Sequence, residues 1–159
     1  IFSDVNSQDI IMKRLTEWQI KHLEMATEGL NGLPLWIDES AGLNVFEFKS
    51  KVRKLVREKG IQLVIICLLY TSDAAEKRVD KKPQLSDLRE SGAIEQDADM
   101  VIFCYRPDMM GMQDYEINGR NVSATDLFIL DIKKFRNGQP GEIITQIIPS
   151  LTKIVNYEY

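Results

Sequence analysis

The chain has 159 residues, 44% of them hydrophobic and 28% charged, which suits one soluble domain with a single core. No apolar run approaches the roughly 20 residues that cross a membrane, and a net charge of −4 argues against a generally basic nucleic-acid coat. The two cysteines, Cys67 and Cys104, make neither a disulfide framework nor a metal cluster, so a reducing compartment is expected.

The first residues, Ile1-Phe2-Ser3-Asp4, show no initiator Met and no secretory pattern, and the chain reads as one entered in its middle. Leu15, Trp18, Leu23 and Met25 predict a helix over 15–28, broken by Gly29, Asn31 and Gly32. His22, the only histidine, falls on that surface helix with no partner constellation around it. Leu35-Trp36-Ile37 is expected as a short buried strand, ended by Asp38-Glu39-Ser40, where the paired carboxylates make no acid–base case. Asn44 with Glu47 three residues on resembles a capping box. Val45, Phe48, Val52, Leu55 and Val56 then recur at helical spacing until Gly60 stops the helix. Over 45–60 six bases face two acids. A DNA-binding patch would fit, but charge runs of this kind are usually the solvated face of an amphipathic helix.

The run 61–66, Ile-Gln-Leu-Val-Ile-Ile, is expected as a strand buried on both faces. Helix followed by apolar strand recurs over 93–105, and further strands are predicted at 126–132 and 142–148. This alternation predicts an α/β fold with a mainly parallel sheet flanked by helices. Cys104, inside an apolar strand, reads as a small core residue. Residues 106–121, with Pro107, Gly111, Gly119 and three methionines, read as an exposed excursion between strands.

Two motifs carry the chemistry. Residues 85–99 read Leu-Ser-Asp-Leu-Arg-Glu-Ser-Gly-Ala-Ile-Glu-Gln-Asp-Ala-Asp and run straight into the strand Met100-Val-Ile-Phe-Cys-Tyr105. Arg89 supplies a cation, and Gly92 would let a phosphate backbone approach with no Cβ in the way. The stretch nevertheless holds five acids against one base, so simple phosphate attraction would not select it. The second motif, Lys133-Lys134-Phe135-Arg136-Asn137-Gly138, closes another apolar run. Alternation along a strand puts Lys134 and Arg136 on the same side, and the turn after them fixes their direction.

Together these motifs resemble the C-terminal half of the motor domain of the DnaB-family replicative DNA helicases. The resemblance covers most of residues 10–148. It implies a truncated RecA-like P-loop ATPase domain spanning 1–159, from an ATP-driven, Mg²⁺-dependent ring that translocates on single-stranded DNA and separates the duplex. By the same resemblance, Arg89, Glu90 and Gly92 contact the DNA. Lys134 and Arg136 reach the γ-phosphate held by the neighbouring subunit, a task for which a permanently charged guanidinium is suited. The implied partners are single-stranded DNA, five further copies in a homo-hexamer, a primase and a loader, with no membrane. The implied location is the bacterial cytoplasm.

The stretch around 67–76 departs from the family pattern. Cys67 stands where the family carries the aspartate associated with Mg²⁺. The residues after it, Leu68-Leu69-Tyr70-Thr71-Ser72-Asp73-Ala74-Ala75, match a translated sequencing-library adapter. A family segment containing a helix, a core strand and a γ-phosphate sensor is missing beyond them. No Gly-x-x-x-x-Gly-Lys-[Ser/Thr] loop occurs in the 159 residues. The parent protein is therefore expected to be an ATP-dependent DNA helicase, and this chain alone inactive. The alternatives are another RecA-like ATPase of the recombination or repair type, and an inactive chimeric fragment.

Overall fold

The structure is a computed structural model that describes residues 5–40, 44–66, 82–86 and 92–158. Its N-terminal part is helical. Helix α1 spans Ser7–Ile11 and α2 spans Glu17–Glu28, each opened by a side chain that accepts from a free helix amide: Asn6 for α1 and Thr16 for α2. Helix α3, Val45–Lys59, has the capping box expected of Asn44 and Glu47. Gly60 closes it at φ 65°, a left-handed position where a Cβ would be strained.

The C-terminal part is a sheet. A short helix α4 (Gly92–Asp97) leads into β1 (Met100–Tyr105), and a hairpin of β2 (Asp114–Ile117) and β3 (Arg120–Ser123) follows. Then come β4 (Leu127–Phe135), β5 (Gly141–Ile148) and β6 (Lys153–Asn156). The main sheet has the order β1-β4-β5-β6, and the hairpin forms a second, two-stranded sheet.

Every described strand pair is antiparallel, which corrects the expected mainly parallel sheet. The reason lies in the connections. A parallel pair needs a crossover of a dozen or more residues, and β4–β5 and β5–β6 are joined by short turns. The gap between β1 and β4 is long enough for a crossover helix, but the β2–β3 hairpin occupies it instead.

An antiparallel sheet can leave one face wet, and this one does. Phe103, Tyr105, Leu127 and Ile129 point to one side, where Tyr115 and Ile117 of the hairpin complete the core. Leu85 packs on the same cluster. Alternation sends Cys104 to the opposite face, so it is exposed and not the core residue that its apolar neighbours suggest.

Two further expectations fail. Neither 35–37 nor 61–66 forms a strand. Backbone N–H and C=O groups of a strand need a partner, and among the described residues none pairs with either run. Leu63, Ile65 and Ile37 accordingly stand open to solvent. No helix among the described residues is long and apolar enough to cross a membrane.

Candidate functional site

Strands β1 and β4 bring the two motifs together. Their register places Met100 opposite Phe135 and Val101 opposite Lys134, with a shift between Val101 and Ile102. Lys133 is the extra residue of that bulge, which re-aims the side chains after it. Its ammonium lies 2.7 Å from Asp131 Oδ2, a carboxylate buried beneath the strand. Lys134 and Arg136 turn instead toward α4, at the start of β1.

Lys134 Nζ donates to the carbonyls of Glu95 (2.8 Å) and Gln96 (3.0 Å). Arg136 Nη1 donates to Asp99 Oδ1 at 2.6 Å, and Nη2 reaches the Gln96 carbonyl at 3.4 Å. The Arg136 backbone amide also donates to the Asp99 carbonyl, at 2.8 Å. Both cations therefore sit on one side, as alternation predicts, and cap the carbonyl end of a short helix where positive charge is favourable. The turn beyond them is tight: a Cβ on Gly138 would collide with the Phe135 ring.

Arg89 and Glu90 lie outside the described residues, as does Cys67 with the junction that follows it. Gly92 opens α4, two turns or less from the carbonyls that Lys134 and Arg136 hold. Asp97, on the same helix, is ion-paired to Lys49 of α3 at 2.6 Å, and that hydrogen bond holds its carboxyl below the ordinary range. Lys51 of α3 binds Asp38 at 2.7 Å. Two bases on the α3 face thus serve contacts within the chain. His22 stacks on Trp18, with ring centroids 5.2 Å apart.

A second polar group gathers around Glu142, which lies opposite Asp131 across the β4–β5 pair. The Tyr105 and Tyr115 hydroxyls are 3.1 Å apart, and Tyr115 donates to Glu142 Oε2 at 2.8 Å. Lys82 binds Glu142 Oε1 at 3.0 Å and lies over the Tyr115 ring. Burial pushes both phenols well above their ordinary titration range. Burial also pushes the Glu142 carboxyl up, but the Tyr115 and Lys82 hydrogen bonds outweigh it and hold the group low. No local sequence pattern links these four residues, because they come from two sheets and a segment outside any strand and meet only in the tertiary fold. Asp99 was legible only as one acid among five. Its pairing with Arg136 follows from the β1–β4 register.

The chain matches the model of the DnaB-like helicase C-terminal domain over residues 2–71 and again over 65–156. It is 30% identical to the replicative DNA helicase DnaC of Bacillus subtilis, over 98% of this chain and 41% of that protein. It is 49% identical to the replicative DNA helicase DnaB of Mycobacterium intracellulare over a shorter stretch, 48% of this chain and 13% of that protein. Among solved structures, it resembles an ATPase domain with a TM-score of 0.69 at 26% identity, covering 97% of this chain and 66% of that one. A DnaB-like replicative helicase, solved together with its interactions with primase, gives a TM-score of 0.70 at 26% identity, covering 97% of this chain and 45% of that one. The chain spans about two fifths of the curated relatives that it matches along its length. It belongs to the DnaB-like helicase C-terminal domain family.

Proposed function

We propose that the chain is part of a RecA-like motor domain of a replicative DNA helicase, which uses ATP with Mg²⁺ to move along single-stranded DNA and separate the duplex. In this reading Lys134 and Arg136 serve the γ-phosphate of a neighbouring subunit in a homo-hexamer, and Arg89, Glu90 and Gly92 hold DNA by its phosphates. The observation that carries the reading is the pairing of β1 with β4. It sets Lys134 and Arg136 beside the described end of the first motif, residues 92–99, with Arg136 at 2.6 Å from Asp99. A primase is the partner suggested by the likeness to a helicase studied with one. A loader and the bacterial cytoplasm belong to the same proposal.

The junction has a place in this reading. The family model matches in two pieces that meet near residue 67, and the alignment with the Bacillus relative runs over 194 residues against a chain of 159. Both support an internal family segment missing beside Cys67, with 1–159 a partial domain.

The test uses the complete helicase with that segment restored. Arg136→Ala is expected to lower ATP turnover by about 10³-fold or more with nucleotide binding largely kept, because the guanidinium would act on charge in the transition state. Mixed rings of that variant and one with a disabled phosphate loop should regain some activity, since some interfaces then combine an intact half from each. Arg89→Ala should weaken single-stranded DNA binding uniformly across sequences, as expected for a phosphate contact. Arg136→Ala that lowers DNA affinity while turnover stays intact, with no rescue in mixed rings, would overturn the assignment.

A further inference from the structure

The two cations proposed to face phosphate are both already engaged. Lys134 and Arg136 each reach the end of α4, and together they cover the carbonyls of Glu95 and Gln96 and the carboxylate of Asp99. The Arg136–Asp99 pair is more than half open to water on both sides. Exposed ion pairs of this kind hold weakly, whereas an oligophosphate offers several charged oxygens to the same guanidinium. The resting contact is therefore one that a phosphate could displace. Its other half is α4, the helix that begins at Gly92 in the segment proposed to hold DNA.

We propose that Asp99 is a positioning residue that parks Arg136 against α4, and that an oligophosphate taking Lys134 and Arg136 releases the C-terminal end of that helix. This rests on reading the pair as phosphate-facing. The physical consequence is a direct mechanical link, one strand pair wide, between a phosphate at the β4 end and the segment 92–99. Withdrawing both side chains takes these donors from the Glu95 and Gln96 carbonyls and the Asp99 carboxylate, while the Arg136 backbone amide keeps its bond to the Asp99 carbonyl.

The test titrates the 159-residue chain with inorganic triphosphate, reading affinity by calorimetry and amide hydrogen exchange over 92–99 by mass spectrometry. Triphosphate should speed exchange in α4. Asp99→Asn should exchange faster before any anion is added and should bind triphosphate about two- to fivefold more tightly, since the competing carboxylate charge is gone. Because neutralising any nearby carboxylate raises anion affinity, the deciding readout is that triphosphate adds little further exchange over 92–99 in Asp99→Asn, where Arg136 is already released. Asp99→Glu should restore wild-type behaviour. If triphosphate binding needs both cations while Asp99→Asn alters neither affinity nor exchange, the parking role is overturned. If binding survives replacement of Lys134 and Arg136 by alanine, the phosphate reading beneath the proposal is overturned.

Discussion

At the scale of single residues, the strongest interactions are those that bury polar atoms with their partners. Tyr115 is nearly inaccessible, yet its hydroxyl lies between Tyr105 and Glu142, so neither the phenol nor the carboxylate is left unpaired. Tyr115→Phe keeps the ring and removes the bridge. The expected cost is about 1–2 kcal/mol in urea unfolding, from a lost hydrogen bond and a less satisfied Glu142. The same group predicts a pH dependence. The two phenols titrate higher in the folded chain than in the unfolded one, where the value is about 10. The Lys82 ammonium is lowered by burial but raised more by Glu142 and its neighbours, a net rise of the same sign. Above about pH 10 the unfolded chain releases these protons first, so stability present below that pH is lost as pH climbs. Glu142 acts oppositely at the acid end: its contribution is present above the ordinary carboxylate range and fades as pH falls through its lowered value. Urea midpoints should drop as pH climbs above about 10, and drop less in Tyr115→Phe, where one titrating phenol is gone. Equal slopes in the two proteins would contradict this account.

At the scale of elements, what the sequence made legible is what local chemistry decides. The box of Asn44 and Glu47, the apolar spacing of 45–56 and Gly60 define α3 within the chain itself, and the structure ends the helix where these residues place its ends. Asn44→Ala should cost about 1 kcal/mol, through the amide of Glu47 that then lacks its acceptor. Gly60→Ala should cost about 1 kcal/mol because φ 65° is strained for a side chain, although open space surrounds the position. Far-ultraviolet circular dichroism during thermal unfolding would show both losses, and an unchanged midpoint in both variants would mean that α3 contributes nothing to the cooperative unit. Strands were legible only in part. The apolar runs at β1, β4 and β5 were readable as strands, but their direction and partners depend on connections that periodicity does not encode. The run 61–66 has the composition of a core strand and no partner among the described residues, so it forms none. The site divides the same way. Lys134 and Arg136 could be selected from their motif, whereas Asp99, Glu95 and Gln96 as their partners required the β1–β4 register.

At the scale of the whole molecule, apolar surface is distributed unevenly. The core lies under the sheet, around Ile129 and Leu127, while the helical half buries little: none of α1, α2 and α3 contains a buried residue. Phe46 is 86% exposed, Ile65 83% and Trp18 69%. Large apolar side chains in this state normally mark a surface that another element or subunit covers. The proposed missing segment would supply a strand and helix for that purpose, and a hexamer would supply a neighbour. Without them, the chain should associate through these exposed side chains, and the driving force is the roughly 25 cal/mol gained per Å² of apolar surface removed from water. Sedimentation velocity is expected to show a broad, concentration-dependent distribution, with an environment-sensitive dye bound in the folded state. Ile65→Lys should reduce both signals without lowering the unfolding midpoint, because that side chain is already in water and a charge there opposes pairing between copies. A sharp monomer at every concentration, with no dye bound and a cooperative melt, would show that the exposed residues are harmless to this chain. The missing-segment account of the bare 61–66 run would then lose its main physical support.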